Sequence, residues 1–162
     1  MPRLQAALGS ILFLVVAPGF VAGLVPYSLT GWKSSDPPLA LVVAGALLVA
    51  AGSIVLLHAF ARFVVEGIGT PAPIAPTEHL VVGGAYRYVR NPMYLAVGSV
   101  ILGQAVLLGQ PVLLAWLAGF GLMVVAFVRL YEEPTLSARY GAEYDRYCET
   151  VPRWRPRLTP PA

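Results

Sequence analysis

The stretch PMYLAVGSVILGQAVLL-GQP-VLLAWLAGFGLMVVAFVRLY, from Pro92 to Tyr131, decides the fold. It holds two apolar runs, Pro92–Leu108 and Val112–Tyr131, on either side of the break Gly109-Gln110-Pro111, and no charged residue lies between Arg90 and Arg129. A hydrocarbon core of about 30 Å needs about 20 apolar residues to cross it, or slightly fewer where the bilayer thins. Each run is therefore a candidate span, and so short a turn makes the two antiparallel neighbours. Outward from this pair lie two further runs, Leu4–Tyr27 and Leu39–Val65. They are separated by Ser34-Ser35-Asp36-Pro37-Pro38, and the stretch Glu66 to Asn91 leads on to the first pair. The chain reads as one all-α domain over residues 1–162, an integral membrane bundle of about four transmembrane helices.

Composition agrees. Hydrophobic residues make up 57% of the 162 residues and charged residues only 12%, against about 25% charged in a soluble domain. Much of the surface thus has no need of water. Sixteen glycines and fifteen prolines are better tolerated in membrane helices than in a soluble bundle. A net charge of +3 could suit nucleic acid, but the basic residues sit beside apolar runs, which fits membrane lipid headgroups. No nucleic-acid partner is expected. The single cysteine, Cys148, excludes an internal disulfide framework.

Charge also sets the orientation. With the N-terminus in the cytoplasm, Arg3, Arg62, Arg87, Arg90, Arg129, Arg139, Arg146, Arg153, Arg155 and Arg157 fall on or near the inner side, and only Lys33 is left outside. That asymmetry is the positive-inside pattern of an N-in, C-in protein. Met1 to Gly23 also has the arginine, apolar run and small residues of a cleaved leader. A first span is the reading that keeps the charge pattern intact.

Small residues at helical spacing, Ser99/Gly103 and Ala115/Gly119, suit ordinary close packing of helices. Beyond the fourth span, Glu132-Glu133-Pro134 is expected to break the helix, and a new one to run over about 135–149. Leu136, Tyr140, Tyr144, Tyr147 and Val151 recur there at steps of three or four residues, the stripe of an amphipathic helix. Interfacial tyrosines explain it without any catalytic role.

The unusual polar chemistry gathers in two places that this topology puts at one membrane boundary: Glu78 to Tyr94, and Arg129-Leu130-Tyr131-Glu132-Glu133. Each element alone has an ordinary explanation. Asn91-Pro92 is a good helix start, Gly83-Gly84 a turn, and Arg87 and Arg90 inner-leaflet anchors. Glu132 and Glu133 are harder to explain, because carboxylates near a helix C-terminus oppose its dipole and are costly when unpaired at a membrane boundary. His58 in the second span is a functional candidate as an intramembrane histidine, though an interhelical hydrogen bond suits it slightly better, and Gln104 in the third suits the same bond. His58 and His79 have no metal-ligand spacing, so no metal is expected.

Taken in order, Gly-x-Tyr-x-x-x-Arg-Asn-Pro-x-Tyr over 84–94, Glu-Glu-x-x-Leu over 132–136, Tyr-Gly-x-Glu-Tyr over 140–144 and Val-Pro-Arg over 151–153 resemble the isoprenylcysteine carboxyl methyltransferase and phospholipid methyltransferase superfamily, across roughly residues 40 to 157. No glycine-rich strand-to-helix turn of the soluble methyltransferases is present. The resemblance implies S-adenosylmethionine bound at the cytosol-facing end of the bundle, with a lipid-like methyl acceptor arriving from the membrane. Carried over by position, the cofactor contacts are Glu78, His79, Leu80, Val81, Gly84, Tyr86, Arg90, Asn91, Pro92, Met93, Tyr94, Glu132 and Glu133. Arg129 lies one residue out of register with the family's substrate-contacting arginine and is the candidate for that role, with Glu133 the candidate base. Asn91 and Glu78 stand where carboxyl-methylating members carry histidine, which points away from a prenylcysteine acceptor. A carboxylate, an amine or a hydroxyl on a lipidic stem all stay open, as does the oligomeric state. The competing reading is a non-enzymatic membrane protein, a small transporter subunit or structural partner, in which Arg90 and the glutamate pair lock the third and fourth spans together.

Overall fold

A computed structural model describes residues 3–67 and 79–159 of the chain. Backbone that meets no water must bond to itself, and this chain does so with helices. α1 (Arg3–Gly19) passes through a π-helical turn, Phe20–Leu24, into α2 (Val25–Thr30). α3 (Leu39–Arg62) ends in a second π turn, Phe63–Gly67. After a 3-10 turn at Gly84–Arg87 come α4 (Pro92–Leu108) and α5 (Val112–Phe127). A third π turn, Val128–Glu132, follows, then α6 (Glu133–Tyr140) and α7 (Ala142–Thr150).

Three helical runs are long and apolar enough to cross a membrane: Ala7–Thr30, Leu39–Glu66 and Val112–Tyr140. α4, the fourth, has 17 residues, about 26 Å at 1.5 Å per residue, the lower end of a span. Leu12, Val15, Ile54 and Leu122 stand exposed. In water these faces would aggregate; in a bilayer they meet acyl chains. The protein is a helical membrane bundle.

α3 and α4 approach most closely, and glycine permits it. A β-carbon on Gly45 would lie 2.5 Å from the Leu107 backbone nitrogen, and one on Gly103 would lie 2.7 Å from the Gly45 carbonyl oxygen. Ser99 and Gly103 thus fall on the α3–α4 seam, whereas Ala115 and Gly119 face outward. The core behind the seam joins Leu56 and Phe60 of α3, Val97 and Ile101 of α4, and Phe120 and Val124 of α5. At the end away from the polar clusters, Gln110 Nε2 donates to the Lys33 carbonyl at 2.9 Å and Ser35 Oγ to the Gly109 carbonyl at 2.8 Å. These bonds tie the two loops there to each other.

One expectation needs correcting. Glu132-Glu133-Pro134 does not break the helix. Glu132 and Glu133 keep helical dihedrals, and the Glu133 N–H bonds to the Val128 carbonyl five residues back. The widened turn accommodates Pro134, which has no N–H to offer the ladder. The break falls at Gly141 (φ +51°), dividing the expected helix over 135–149 into α6 and α7. The stripe survives the division: Leu136, Tyr140, Tyr144, Tyr147 and Val151 are all buried or half-buried.

Candidate active site

The polar end of the bundle is built on the last turns of α3. Arg62 Nη1 pairs with Glu66 Oε1 at 2.6 Å, and Glu66 Oε2 accepts the Gly83 N–H at 2.9 Å. Gly84 then turns the chain at φ +57°, where a β-carbon would stand 2.5 Å from His58 Nε2 and 2.9 Å from Arg62 Nε. Only glycine fits both demands. His58 thus backs this turn and makes no interhelical hydrogen bond among the described residues. The 3-10 turn that follows carries the Tyr86 ring inward, edge-on to Phe63 at 5.7 Å between centroids.

Asn91 occupies the N-cap position of α4 with Pro92 after it, but its side chain makes no capping bond. Instead Nδ2 donates to the Arg153 carbonyl at 3.1 Å. That bond belongs to a strap: Arg90 N–H donates to the Pro152 carbonyl at 2.9 Å, and Arg157 N–H to the Tyr88 carbonyl at 2.9 Å. Residues 152–157 are thereby laid across residues 88–91.

The two glutamates at the end of the α5 run have different partners. Glu133 is held by two guanidiniums. Arg153 donates to both its oxygens at 2.7 and 2.6 Å, and Arg90 Nη1 lies 3.2 Å from Oε1. Glu132 Oε2 instead accepts from the Tyr94 hydroxyl at 2.8 Å. α7 closes the side, with Tyr147 Oη donating to the Tyr86 carbonyl at 2.8 Å. Burial raises the Tyr86 hydroxyl well above its ordinary pKa, with Tyr147, Glu132 and Tyr94 adding to the effect. Burial likewise raises Tyr144 and Tyr147. All three are neutral donors across the physiological range.

These groups surround a cavity of about 430 Å³. Its polar end is formed by Tyr86, Arg90, Asn91, Tyr94, Glu132 and Glu133, with Tyr144 and Tyr147 beside them. Its apolar end runs between Phe13, Pro18 and Val21 of the first span, Leu56 and Phe60 of α3, and Phe120 and Val124 of α5. Along the α5–α6 run two rows of side chains at four-residue steps line it. The inner row is Phe120, Val124, Val128, Glu132, Leu136 and Tyr140; the outer, exposed row is Met123, Phe127, Tyr131, Thr135 and Arg139. The outer row, being exposed, is the lip of the cavity along this run.

Of the residues expected from sequence, Leu80, Val81, Tyr86, Arg90, Asn91, Pro92, Met93, Tyr94, Glu132 and Glu133 line this one cavity. Gly84 belongs to the supporting turn, and His79 is exposed and does not line it. Arg129 is also exposed and off the cavity wall, because the helical turn after Val128 points it outward. Glu78 lies outside the described residues. Sequence reasoning did not assign Arg153 its part; Val-Pro-Arg marks the place, but nothing local to that motif reveals a partner 20 residues upstream. It also left out the first-span wall, since Phe13 and Val21 look like any other lipid-span residues.

A sequence profile of phospholipid methyltransferases matches residues 40–143. The chain belongs to the phospholipid methyltransferase family. The match covers α3 to the start of α7, and so takes in both halves of the cavity's polar end; the first-span wall and the strap lie beyond it. Searches of the curated proteins and of the solved structures gave no match. Family membership and the long apolar helices together make this an integral membrane protein of methyltransferase type.

Proposed function

We propose that the protein methylates a lipid-like acceptor using S-adenosylmethionine, at a cavity facing the cytoplasm. The observation that carries this reading is convergence: the Tyr86–Tyr94 stretch and the paired glutamates, about 40 residues apart in sequence, line the same cavity. Its volume lies within the range of small-molecule sites, roughly 300–1,000 Å³. The donor set suits the cofactor. A carboxylate at Glu132 and the faces of Tyr86 and Tyr94 favour a sulfonium cation, while Asn91 and the glutamates offer hydrogen-bond acceptors for ribose hydroxyls. When bound, the cofactor supplies an electrophilic methyl group. The chain's own task is then to align the acceptor and exclude water.

An amine or hydroxyl acceptor must also lose a proton. Glu133 has both oxygens engaged by Arg153 and one also facing Arg90, and a carboxylate so held is a weak base. Glu132, hydrogen-bonded only to the neutral Tyr94 hydroxyl among the described residues, is the better acceptor of that proton. In this reading Glu133 positions the rim through Arg90 and Arg153. The positive-inside rule supports the cytoplasmic part of this reading, since basic residues gather at this end and Lys33 lies at the other.

The Arg90–Glu133 ion pair is compatible with either reading, but a lock alone leaves Glu132 and the cavity without a purpose. Purified protein in detergent should bind S-adenosylmethionine or its demethylated product at micromolar levels by calorimetry. Glu132→Gln should weaken that binding about tenfold, the worth of one charge-assisted contact. Glu133→Gln should chiefly lower stability, by about 3 kcal/mol for a broken, largely buried pair. Folded protein with no detectable binding would return the chain to the non-enzymatic reading.

A further inference from the structure

The outer row along the α5–α6 run changes character with depth. Met123, Phe127 and Tyr131 are 53%, 38% and 48% exposed, and Thr135 and Arg139 continue the same row, also exposed. From Met123 to Arg139 the row rises about 24 Å at 1.5 Å per residue, close to the depth of one leaflet with its headgroups. Chemically it passes from apolar, through an amphipathic ring and a hydroxyl, to a cation.

Two arginines line the cavity among the described residues, Arg90 and Arg139. Arg90 is committed to Glu133. Arg139 has no carboxylate partner among the described residues and lies over the Tyr140 ring, 5.7 Å from its centroid. A cation in the last turn of α6 favours the helix dipole, but the dipole does not account for its standing on the lip of the cavity. Glu132 lies seven residues earlier on the same face, about 10 Å along the axis.

We infer that Arg139 is a specificity-determining residue that binds the phosphate of an amine-bearing phospholipid acceptor. The acyl chain then lies along Met123 and Phe127, and the amine reaches inward toward Glu132. The assignment rests on the methyl-transfer reading above. A guanidinium suits a phosphodiester because its paired N–H groups match two phosphate oxygens. The cofactor's own carboxylate could use the same chemistry. The lip favours the lipid, since Arg139 ends a row that begins with the exposed apolar side chains Met123 and Phe127.

The test compares two acceptors in mixed micelles with labelled S-adenosylmethionine: phosphatidylethanolamine, and a long-chain alkylamine that has no phosphate. Arg139→Gln should raise the apparent KM for phosphatidylethanolamine about tenfold relative to its effect on the alkylamine, with cofactor affinity held. Arg139→Lys should recover part of the loss, and Arg146→Gln, exposed on α7 and off the cavity wall, should match the wild type. Equal losses on both acceptors, a wild-type KM in Arg139→Gln, or a fall in cofactor affinity would each overturn the assignment; the last would give the guanidinium to the cofactor's carboxylate. Wild-type protein that binds cofactor without methylating phosphatidylethanolamine would also sink it, leaving the proposed function standing. Absent cofactor binding would sink both.

Discussion

Glu132 and Glu133 show how far a residue's surroundings outweigh its type. Adjacent in sequence, they face one cavity, yet one is neutralised by two arginines and the other touches a tyrosine hydroxyl. At the same scale, Gly84 joins a left-handed dihedral to a backbone pressed against His58 and Arg62. Gly84→Ala should therefore cost about 1–2 kcal/mol from the dihedral alone, and more where His58 cannot give way, read as a lower midpoint in denaturant titration of detergent-solubilised protein. A wild-type midpoint would mean the turn is looser than drawn. The sequence made the polar clusters legible because acids and arginines beside membrane spans are few. It could not show which carboxylate was paired, since Arg153 reaches Glu133 only after the chain has turned at Gly141 and again beyond Thr150.

The elements were largely legible, because hydropathy marks a span directly: α4 runs from Pro92 to Leu108, the bounds read from sequence. The π turns were not, for they depend on which backbone bonds the packing can replace. In the first span, Pro26 brings no N–H to the ladder just beyond the Phe20–Leu24 turn. The carbonyls facing that gap are taken by other helices: Trp116 Nε1 donates to Val21 at 3.0 Å and Gln104 Nε2 to Ala22 at 2.7 Å. Gln104 is thus the interhelical tie its position suggested. Because Val21 lines the cavity, these two side chains hold its first-span wall in place. Trp116→Phe, which keeps the ring and removes the donor, should lose about 1 kcal/mol in an unfolding titration with denaturing detergent. An unchanged midpoint would show that the bond contributes nothing.

Taken whole, the molecule sets neutral tyrosines around its polar end. Because burial raises Tyr86, Tyr144 and Tyr147 above their ordinary value, the folded form resists ionising them while the unfolded chain does so near pH 10. Their contribution to stability is thus fully present below about pH 10 and is lost as pH climbs toward the folded values. Stability measured between pH 8 and 11 should hold level and then fall in the last unit, and Tyr147→Phe should flatten that fall. A fall already complete by pH 9 would point to another group. The bundle as a whole was legible from composition and hydropathy; the exposed lip of the cavity was not, because it depends on which of many similar apolar faces are left uncovered.

The strap over residues 88–91 has a consequence for truncation. Its anchoring residues, Pro152, Arg153 and Arg157, are synthesised some sixty residues after the loop they clasp. A chain ending at Thr150 would contain every apolar helix, yet Glu133 would lack its bidentate guanidinium. Such a shortened chain would keep its apolar bundle but carry a carboxylate with half its counter-charge, so the last turn of backbone completes the rim and not the span.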